Sequence, residues 1–281
     1  MFYNKQRILN LGNTVNINKL WQKVNSFLTP LGVFALSSPN AHASSSLLKQ
    51  DDFVGISFWI ISMALVASTA FFFLERDRVV AKWRTSLTVS GLVTLVAAVH
   101  YFYMRDVWVT TGSTPTVFRY IDWFITVPLL MIEFYLILSA IAKVPVGVFW
   151  RLIIGTLIML IGGYLGEAKY MQAFPAFVLG MVGWAYILYE IFLGEASKIN
   201  AQNAPHSVQS AFKVMRLIVT FGWAIYPLGY YFGYLTGEDV ASSANRLNII
   251  YNLADVLNKI AFGLIIWGVA VKESEGSHSK V

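Results

Sequence analysis

Seven apolar segments, each of about 20 residues, constrain the fold more than any other feature of this sequence. They lie at 53–75, 86–105, 116–140, 147–165, 170–193, 208–236 and 245–271. A segment of that length and character crosses the hydrocarbon core of a bilayer as one α-helix. Only 13% of the residues are charged, whereas soluble domains have about 25%. The sequence therefore predicts an all-α membrane protein, a bundle of seven transmembrane helices in a lipid bilayer.

The residue composition also excludes several functions. The sequence contains no cysteine, which rules out disulfides, a thiolate nucleophile and a cysteine-ligated metal, and we predict no metal site. The formal net charge is +6, but this does not indicate nucleic-acid binding. In a membrane protein, surplus Lys and Arg are typical of the cytoplasmic loops.

Residues 1–43 are predicted to be a leader, or signal peptide, rather than part of the fold. A basic start precedes a short apolar run at 27–36 and the sequence Ala-His-Ala at 41–43, which is typical of a cleavage site after Ala43. The alternative is an uncleaved amphipathic helix on the membrane surface. Cleavage implies an N-terminus outside the cell, so seven spans place the C-terminal tail, 276–281, in the cytoplasm.

The loops between the segments agree with this orientation. Basic residues cluster between the first and second segments, at Arg76, Arg78, Lys82 and Arg84. Because basic loops stay on the cytoplasmic side, this loop is predicted to be cytoplasmic. The connection at 106–115 is rich in Thr, Gly and Ser, and we interpret it as a small hairpin.

A single lysine, Lys259, lies near the middle of the seventh segment, with Asp255 one helical turn before it. An ammonium at that depth costs about 3 kcal/mol on insertion scales, so such a lysine is kept for its chemistry or for a partner. The carboxylate at i−4 lies on the same helical face. A buried amine can also form a Schiff base with an aldehyde. The pair therefore predicts either a covalent cofactor site or a structural ion pair.

The third segment has ionisable residues along one helical face. Arg119 and Asp122 are three residues apart, Thr126 follows four residues later, and Glu133 lies about three turns from Asp122, a rise of roughly 16 Å. Such a face is expected to point into the bundle, towards Lys259, rather than at lipid. Arg119 and Asp122 alone could form a structural salt bridge. Glu133 has no basic residue one turn away, so we expect a neutral acid suited to a proton relay.

The predicted orientation gives this relay a direction. The third and seventh segments both run inward, so Asp122 and Asp255 lie on the outer side of Lys259 and Glu133 on its inner side. A proton on the amine could pass outward and be replaced from Glu133, provided that something switches the accessibility of the amine. His100 lies at the depth of Asp122, and we interpret it as a hydrogen-bond partner of that carboxylate rather than as an ordinary core histidine.

Aromatic residues on the third and sixth segments suggest a ligand. The stretch FGWAIYP places Trp223, Tyr226 and Pro227 in the middle of the bundle, where Pro227 is expected to kink the helix. Together with Trp123, flat rings on two helices would make a slot for a long conjugated polyene. Ordinary core packing is the alternative interpretation of these rings.

Several stretches together resemble the microbial rhodopsins of the proteorhodopsin group, over about Ser46 to Ser274. They are NLADVLNKIAFGLIIW, RYIDW…T…E, FGWAIYPLGYYFGYL, YLGEA and VQSAF. The resemblance implies a domain, 44–275, that binds all-trans retinal on Lys259 as a protonated Schiff base. It implies that isomerisation by light to 13-cis is the accessibility switch. The expected activity is light-driven outward proton pumping in the bacterial inner membrane, by a transporter and not an enzyme.

The resemblance also implies a role for each charged residue in the bundle. Asp122 is the expected primary proton acceptor and counterion, and Asp255 the second counterion. Glu133 is the expected cytoplasmic proton donor. Thr126 is expected to support the Schiff base region, and Arg119 matches the family's arginine on the outer side.

Four further positions acquire an interpretation from the resemblance. His100 matches the family's histidine that forms a hydrogen bond to the acceptor aspartate. Trp59 matches a tryptophan that reaches such a histidine from a neighbouring subunit. This match implies a ring-shaped homo-oligomer, a pentamer or hexamer. Leu130 stands where leucine gives green absorption and glutamine gives blue. Phe177 stands where carotenoid-binding relatives have a small residue, so no antenna is expected.

Two alternative functions remain. One is a photosensor that signals through a partner membrane protein, against which Glu133 argues, and the other is a cofactor-free transporter.

Overall fold

A computed structural model of the protein describes residues 48–237 and 240–278. The predicted leader at 1–43, with its cleavage site after Ala43, lies outside the described residues. The end of the predicted tail, 279–281, also lies outside them. The described residues include all seven predicted spans.

Seven helices in the described residues are long and apolar enough to cross a membrane. In chain order they are α1 (Phe53–Arg78), α2 (Ala81–Thr111), α3 (Thr116–Ser139), α4 (Val146–Glu167), α5 (Ala173–Asn203), α6 (His206–Leu235) and α7 (Ser243–Gly276). The described ranges contain no β-strand. Helices suit this environment because every main-chain N–H and C=O in a bilayer must find its partner within the protein. The predicted seven-helix bundle is confirmed.

The connection between α2 and α3 differs from the prediction. The hairpin expected at 106–115 is wrong, because α2 continues to its end at Thr111. The hydroxyls of Thr110 and Thr111 donate to carbonyls one turn earlier, at 2.6 and 2.7 Å. Gly112 then ends the helix with a left-handed φ of 65°. Residues that also favour turns thus form a helix C-terminus here, with glycine in its preferred capping position.

The polar face of α3 is turned into the bundle. Four polar side chains on it are fully buried: Arg119, Asp122, Thr126 and Glu133. On another face of the same helix, Ile121 and Ile125 are each 43% exposed. Apolar side chains on the outside and charged ones inside are what a lipid environment requires.

Helices α6 and α7 lose regular α-helical hydrogen bonding in the middle of the bundle. In α6 the segment Ile218–Gly222 is π-helical and precedes Pro227. In α7 the segment Val256–Ala261, which contains Lys259, is π-helical as well. A π-helical turn widens the helix and changes the direction of the side chains in it, and such turns are frequent at functional sites.

Helices α4 and α5 pack closely through glycines. A Cβ added to Gly183 on α5 would lie 2.3 Å from the main-chain nitrogen of Met159 on α4. A Cβ added to Gly180, one turn earlier, would lie 3.4 Å from the nearest atom, the Met159 carbonyl oxygen. Only Gly183 of these two is therefore required by contact between the helix backbones.

We expect Gly183→Ala to destabilise the protein and Gly180→Ala to leave its stability nearly unchanged. Overpacking of a close contact costs about 1–3 kcal/mol, whereas the Gly180 position has room for a methyl group. The two variants are compared by thermal unfolding in the same detergent. Equal melting temperatures for the two variants would contradict the packing described here.

Candidate functional site

Lys259 lies inside the bundle with only 1% of its surface exposed. Its Nζ donates a hydrogen bond to Asp122 Oδ2 on α3 and lies 3.4 Å from Asp255 Oδ1 on its own helix. Both aspartates are fully buried. A buried ammonium is tolerated only when it is paired and hydrogen-bonded. The structure thus brings together the lysine and both acids that the sequence singled out.

Asp255 is held firmly by neutral hydrogen-bond donors. It accepts from the Tyr101 hydroxyl at 2.7 Å, the Tyr226 hydroxyl at 2.7 Å and Trp123 Nε1 at 3.2 Å. Arg119 Nη1 lies 3.9 Å from its Oδ2. Each of these contacts stabilises the negative charge of a carboxylate. Asp255 is therefore built as a fixed anion.

Asp122 has fewer donors than Asp255. Its Oδ1 is buried and has no hydrogen-bond partner among the described residues, and Thr126 Oγ1 donates to its main-chain carbonyl at 2.9 Å rather than to its carboxylate. The predicted bond from His100 to Asp122 is not formed in the described structure. Instead, His100 Nδ1 lies 2.8 Å from the carbonyl oxygen of Val96, which leaves Nε2 as the ring nitrogen available to another partner.

Glu133 lies on α3 at a fully buried position outside the cluster around Lys259. Its side chain is fully buried, and Oε1 accepts a hydrogen bond from Ser90 Oγ on α2 at 3.0 Å. Oε2 has no hydrogen-bond partner among the described residues, and no cation in them forms an ion pair with Glu133. A buried carboxyl without a cation is most stable as the neutral acid. Ser90 was not singled out by the sequence.

Arg119 connects the site to the N-terminal end of α3, away from Glu133. Its Nη2 donates to Asn248 Oδ1 at 2.9 Å and to Asn252 Oδ1 at 3.1 Å. Asn252 in turn donates to Ser57 Oγ on α1 at 2.9 Å. A polar chain therefore runs from the buried ion pairs through Arg119 to α1 and α7.

A cavity of about 760 Å³, including the space at its mouth, opens beside Lys259. Its lining includes six side chains considered above, namely Trp123, Leu130, Phe177, Trp223, Tyr226 and Pro227. Largely apolar walls with a buried amine fit a long apolar aldehyde, which can react with the amine and pack against the rings.

Trp59 lies away from this cavity, on the outside of the bundle. It is 42% exposed, although two neighbours contact it. Its ring lies 6.0 Å from that of Phe102 and 5.4 Å from the guanidinium carbon of Arg105. A large aromatic side chain exposed on a transmembrane helix is available to lipid or to a second copy of the chain.

Glu167 is a buried acid whose role the sequence did not suggest. It lines the cavity and accepts hydrogen bonds from three tyrosine hydroxyls, those of Tyr120 at 2.9 Å, Tyr251 at 2.8 Å and Tyr234 at 3.0 Å. A lone glutamate at the end of an apolar span was the available signal. The tyrosines lie on α3, α6 and α7, so this acid joins four helices on the wall of the cavity.

We expect Glu167→Leu to lower the stability of the protein strongly and Glu167→Gln to lower it little. Leucine leaves three buried hydroxyls without an acceptor, each at about 1–3 kcal/mol, while glutamine keeps a carbonyl acceptor at the same place. Thermal unfolding in detergent compares the two variants. If they melted at the same temperature, the hydrogen bonds to Glu167 would not be what holds these helices together.

Comparison with known proteins agrees with this architecture. The sequence profile of a family described as bacteriorhodopsin-like protein matches residues 52–273. The green-light absorbing proteorhodopsin of Gamma-proteobacterium EBAC31A08 is 56% identical over 242 residues, 86% of this chain and 96% of that relative.

Solved structures give the same result. The crystal structure of the blue light-absorbing proteorhodopsin from Med12 is 53% identical, with a TM-score of 0.69 over 79% of this chain and 100% of that one. The rhodopsin of Exiguobacterium sibiricum is 33% identical, with a TM-score of 0.70 over 79% of this chain and 97% of that one. These matches extend over the helices that build the site. The chain therefore belongs to the bacteriorhodopsin-like family and, within it, to the microbial rhodopsins of the proteorhodopsin group.

Proposed function

We propose that this protein is a light-driven pump that moves protons outward across the bacterial inner membrane. The observation that carries the proposal is the amine of Lys259 between Asp122 and Asp255, together with a separate buried acid, Glu133, further along α3. If Lys259 served only a structural ion pair, a separate buried acid without a cationic partner, such as Glu133, would have no role. Membership of the proteorhodopsin group supports the same function.

The proposed cofactor is all-trans retinal, linked covalently to Lys259 as a protonated Schiff base. When bound, retinal would supply the absorption of visible light and an isomerisation from all-trans to 13-cis. The rings of Trp123 and Trp223 line the cavity as flat apolar walls, and Tyr226 and Pro227 line it as well. Leu130 also lines this cavity, and leucine rather than glutamine at this position, by resemblance to the group, supports green rather than blue absorption.

Asp122 is the proposed acceptor of the proton on Lys259 Nζ. Its Oδ2 already hydrogen-bonds to Nζ, and its Oδ1 lacks a donor in the described structure. Asp255 has three neutral donors and is therefore the poorer base and the proposed second counterion. Thr126, through the main-chain carbonyl of Asp122, would hold the acceptor in place.

Glu133 is the proposed cytoplasmic donor that returns a proton to Lys259. It lies eleven residues beyond Asp122, a rise of roughly 16 Å along α3. This direction assumes an N-terminus outside the cell, as the basic loop between α1 and α2 favours. The same orientation fits a cleaved leader at 1–43, a retinal-binding domain at 44–275 and a cytoplasmic tail at 276–281.

Three more residues have proposed supporting roles. Arg119 is the arginine on the outer side, where its bonds to Asn248 and Asn252 hold it near Asp255. His100 is the proposed residue that tunes the proton affinity of Asp122, although it forms no hydrogen bond to Asp122 in the described structure, where its Nδ1 bonds to the Val96 carbonyl oxygen. Trp59, exposed on α1, is the proposed contact in a ring-shaped homo-oligomer, a pentamer or hexamer.

Proton pumping predicts that illuminated cells acidify their medium. Cells that express the protein with added retinal are placed in unbuffered medium, and the external pH is followed in light and dark. A fall in pH that an uncoupler abolishes is expected, and cells grown without retinal serve as the control. A coloured protein that leaves the pH unchanged would instead favour a photosensor.

Glu133→Gln is expected to keep the colour and slow the return of the proton to Lys259 Nζ. The amide keeps the size of the side chain but cannot supply a proton, and loss of a general acid costs about 10²-fold or more in rate. Flash spectroscopy on purified protein measures the rate at which the proton returns to Lys259 Nζ. Glu195→Gln, at a glutamate whose side chain is 42% exposed, is the control with wild-type kinetics. An unchanged rate of proton return in Glu133→Gln would refute the role of Glu133 as donor.

A further inference from the structure

Asn258 joins the two irregular turns of α6 and α7. Its Nδ2 donates to the carbonyl oxygen of Gly222 at 3.0 Å. Gly222 is the last residue of the first of two π-helical segments of α6, Ile218–Gly222, and Asn258 lies in the middle of the π-helical segment of α7. Asn258 is 1% exposed, so this bond connects the two helices inside the bundle.

The Gly222 carbonyl depends on Asn258 because its main-chain partners are missing. In a regular helix it would accept from the N–H of Tyr226, but that N–H donates to the Trp223 carbonyl at 3.1 Å. The next residue, Pro227, has no N–H. Because there is no N–H at 227, the Trp223 carbonyl takes the Tyr226 donor instead, and Asn258 supplies the hydrogen bond that the Gly222 carbonyl thereby loses.

The contact is also sterically specific. A Cβ added to Gly222 would lie 2.0 Å from Asn258 Oδ1, so a side chain at 222 would push the amide away. Asn258 Oδ1 is buried and has no hydrogen-bond partner among the described residues. The amide is therefore oriented by its bond to Gly222, and glycine at that position is what allows the close approach.

Asn258 and Gly222 are each adjacent in sequence to a residue that lines the cavity. Asn258 immediately precedes Lys259, and Gly222 immediately precedes Trp223. Both Lys259 and Trp223 line the cavity. A displacement of the main chain at Lys259 must therefore either move Gly222 or break this hydrogen bond.

We propose that Asn258 is a positioning residue that transmits movement of Lys259 to α6 through Gly222. The movement of α6 then determines when Lys259 Nζ becomes accessible to Glu133. This inference rests on the proposed function, because it assigns the accessibility switch of the same proton relay. The Asn258–Gly222 contact acts on the return of the proton, not on its transfer to Asp122.

Two substitutions remove the contact from opposite helices. Asn258→Leu keeps the size of the side chain without its donor, and Gly222→Ala displaces the amide. Flash spectroscopy should show proton transfer to Asp122 within about twofold of wild type and a return slowed about tenfold, the fold change that one lost buried hydrogen bond produces. Leu257→Ala and Phe221→Ala, at exposed neighbours in the same two segments, should both retain wild-type kinetics.

Sodium azide distinguishes a variant that has lost the accessibility switch, Asn258→Leu, from one that has lost the proton donor, Glu133→Gln. A small weak acid can carry a proton to any amine that is open to the cytoplasmic side. Azide should therefore accelerate the return in Glu133→Gln, where the switch is intact. It should have little effect in Asn258→Leu, where the amine stays closed; full acceleration there would overturn the proposal.

A structural measurement tests the connection without relying on pumping. The sequence has no cysteine, so spin labels can be attached through Lys213→Cys on α6 and Lys272→Cys on α7, both at exposed positions. In retinal-free protein, Asn258→Leu should broaden the distance distribution between the labels, and Leu257→Ala should not. With retinal, light should change this distance in wild type and much less in Asn258→Leu.

The outcomes distinguish this inference from the proposed function. Wild-type return rates and label distances in both Asn258→Leu and Gly222→Ala would overturn the inference and leave the pump intact. A wild-type protein that moves no proton in light would overturn the proposed function itself. Should Asn258→Leu form no pigment, Asn258→Ser, whose side chain is too short to reach Gly222, provides the same comparison.

Discussion

The pairing of buried charges around Lys259 is the constraint on which the rest of the structure depends. Lys259 and Arg119 face Asp122 and Asp255, and all four side chains are at most 1% exposed. Removing one member of a buried ion pair costs about 3–5 kcal/mol, because its partner is left uncompensated. Helices α3 and α7 must therefore pack against each other in one register.

Within this cluster, the two aspartates differ in the number of hydrogen-bond donors around them. Asp255 has donors from α2, α3 and α6, whereas Asp122 has one free oxygen in the described structure. The irregular turns of α6 and α7 meet at the same depth, where Asn258 bonds to Gly222. Under the proposed function, the anion fixed at Asp255 would serve the transfer of the proton, and the connected main chains of α6 and α7 would serve its return.

Features that a lipid environment requires could be predicted from the sequence, whereas contacts between residues far apart in the chain could not. Span length and the helical period gave the seven helices and the buried face of α3, because lipid admits few alternatives. The hairpin at 106–115 was wrong, since Thr and Gly serve a helix end as well as a turn. Lys259 with Asp255 is visible as a local i, i+4 pair. The partners of Glu167 and Asn258 lie up to 84 and 36 residues away, and no local pattern reveals them.

The visible absorption spectrum of Lys259→Ala, purified after expression with retinal, tests the central claim most directly. Covalent attachment to this amine predicts that the variant lacks the visible band of the wild type. Lys272→Ala, at an exposed lysine of the same helix, should keep that band. A wild-type band in Lys259→Ala would contradict the assignment of the amine and, with it, the proton path built around it.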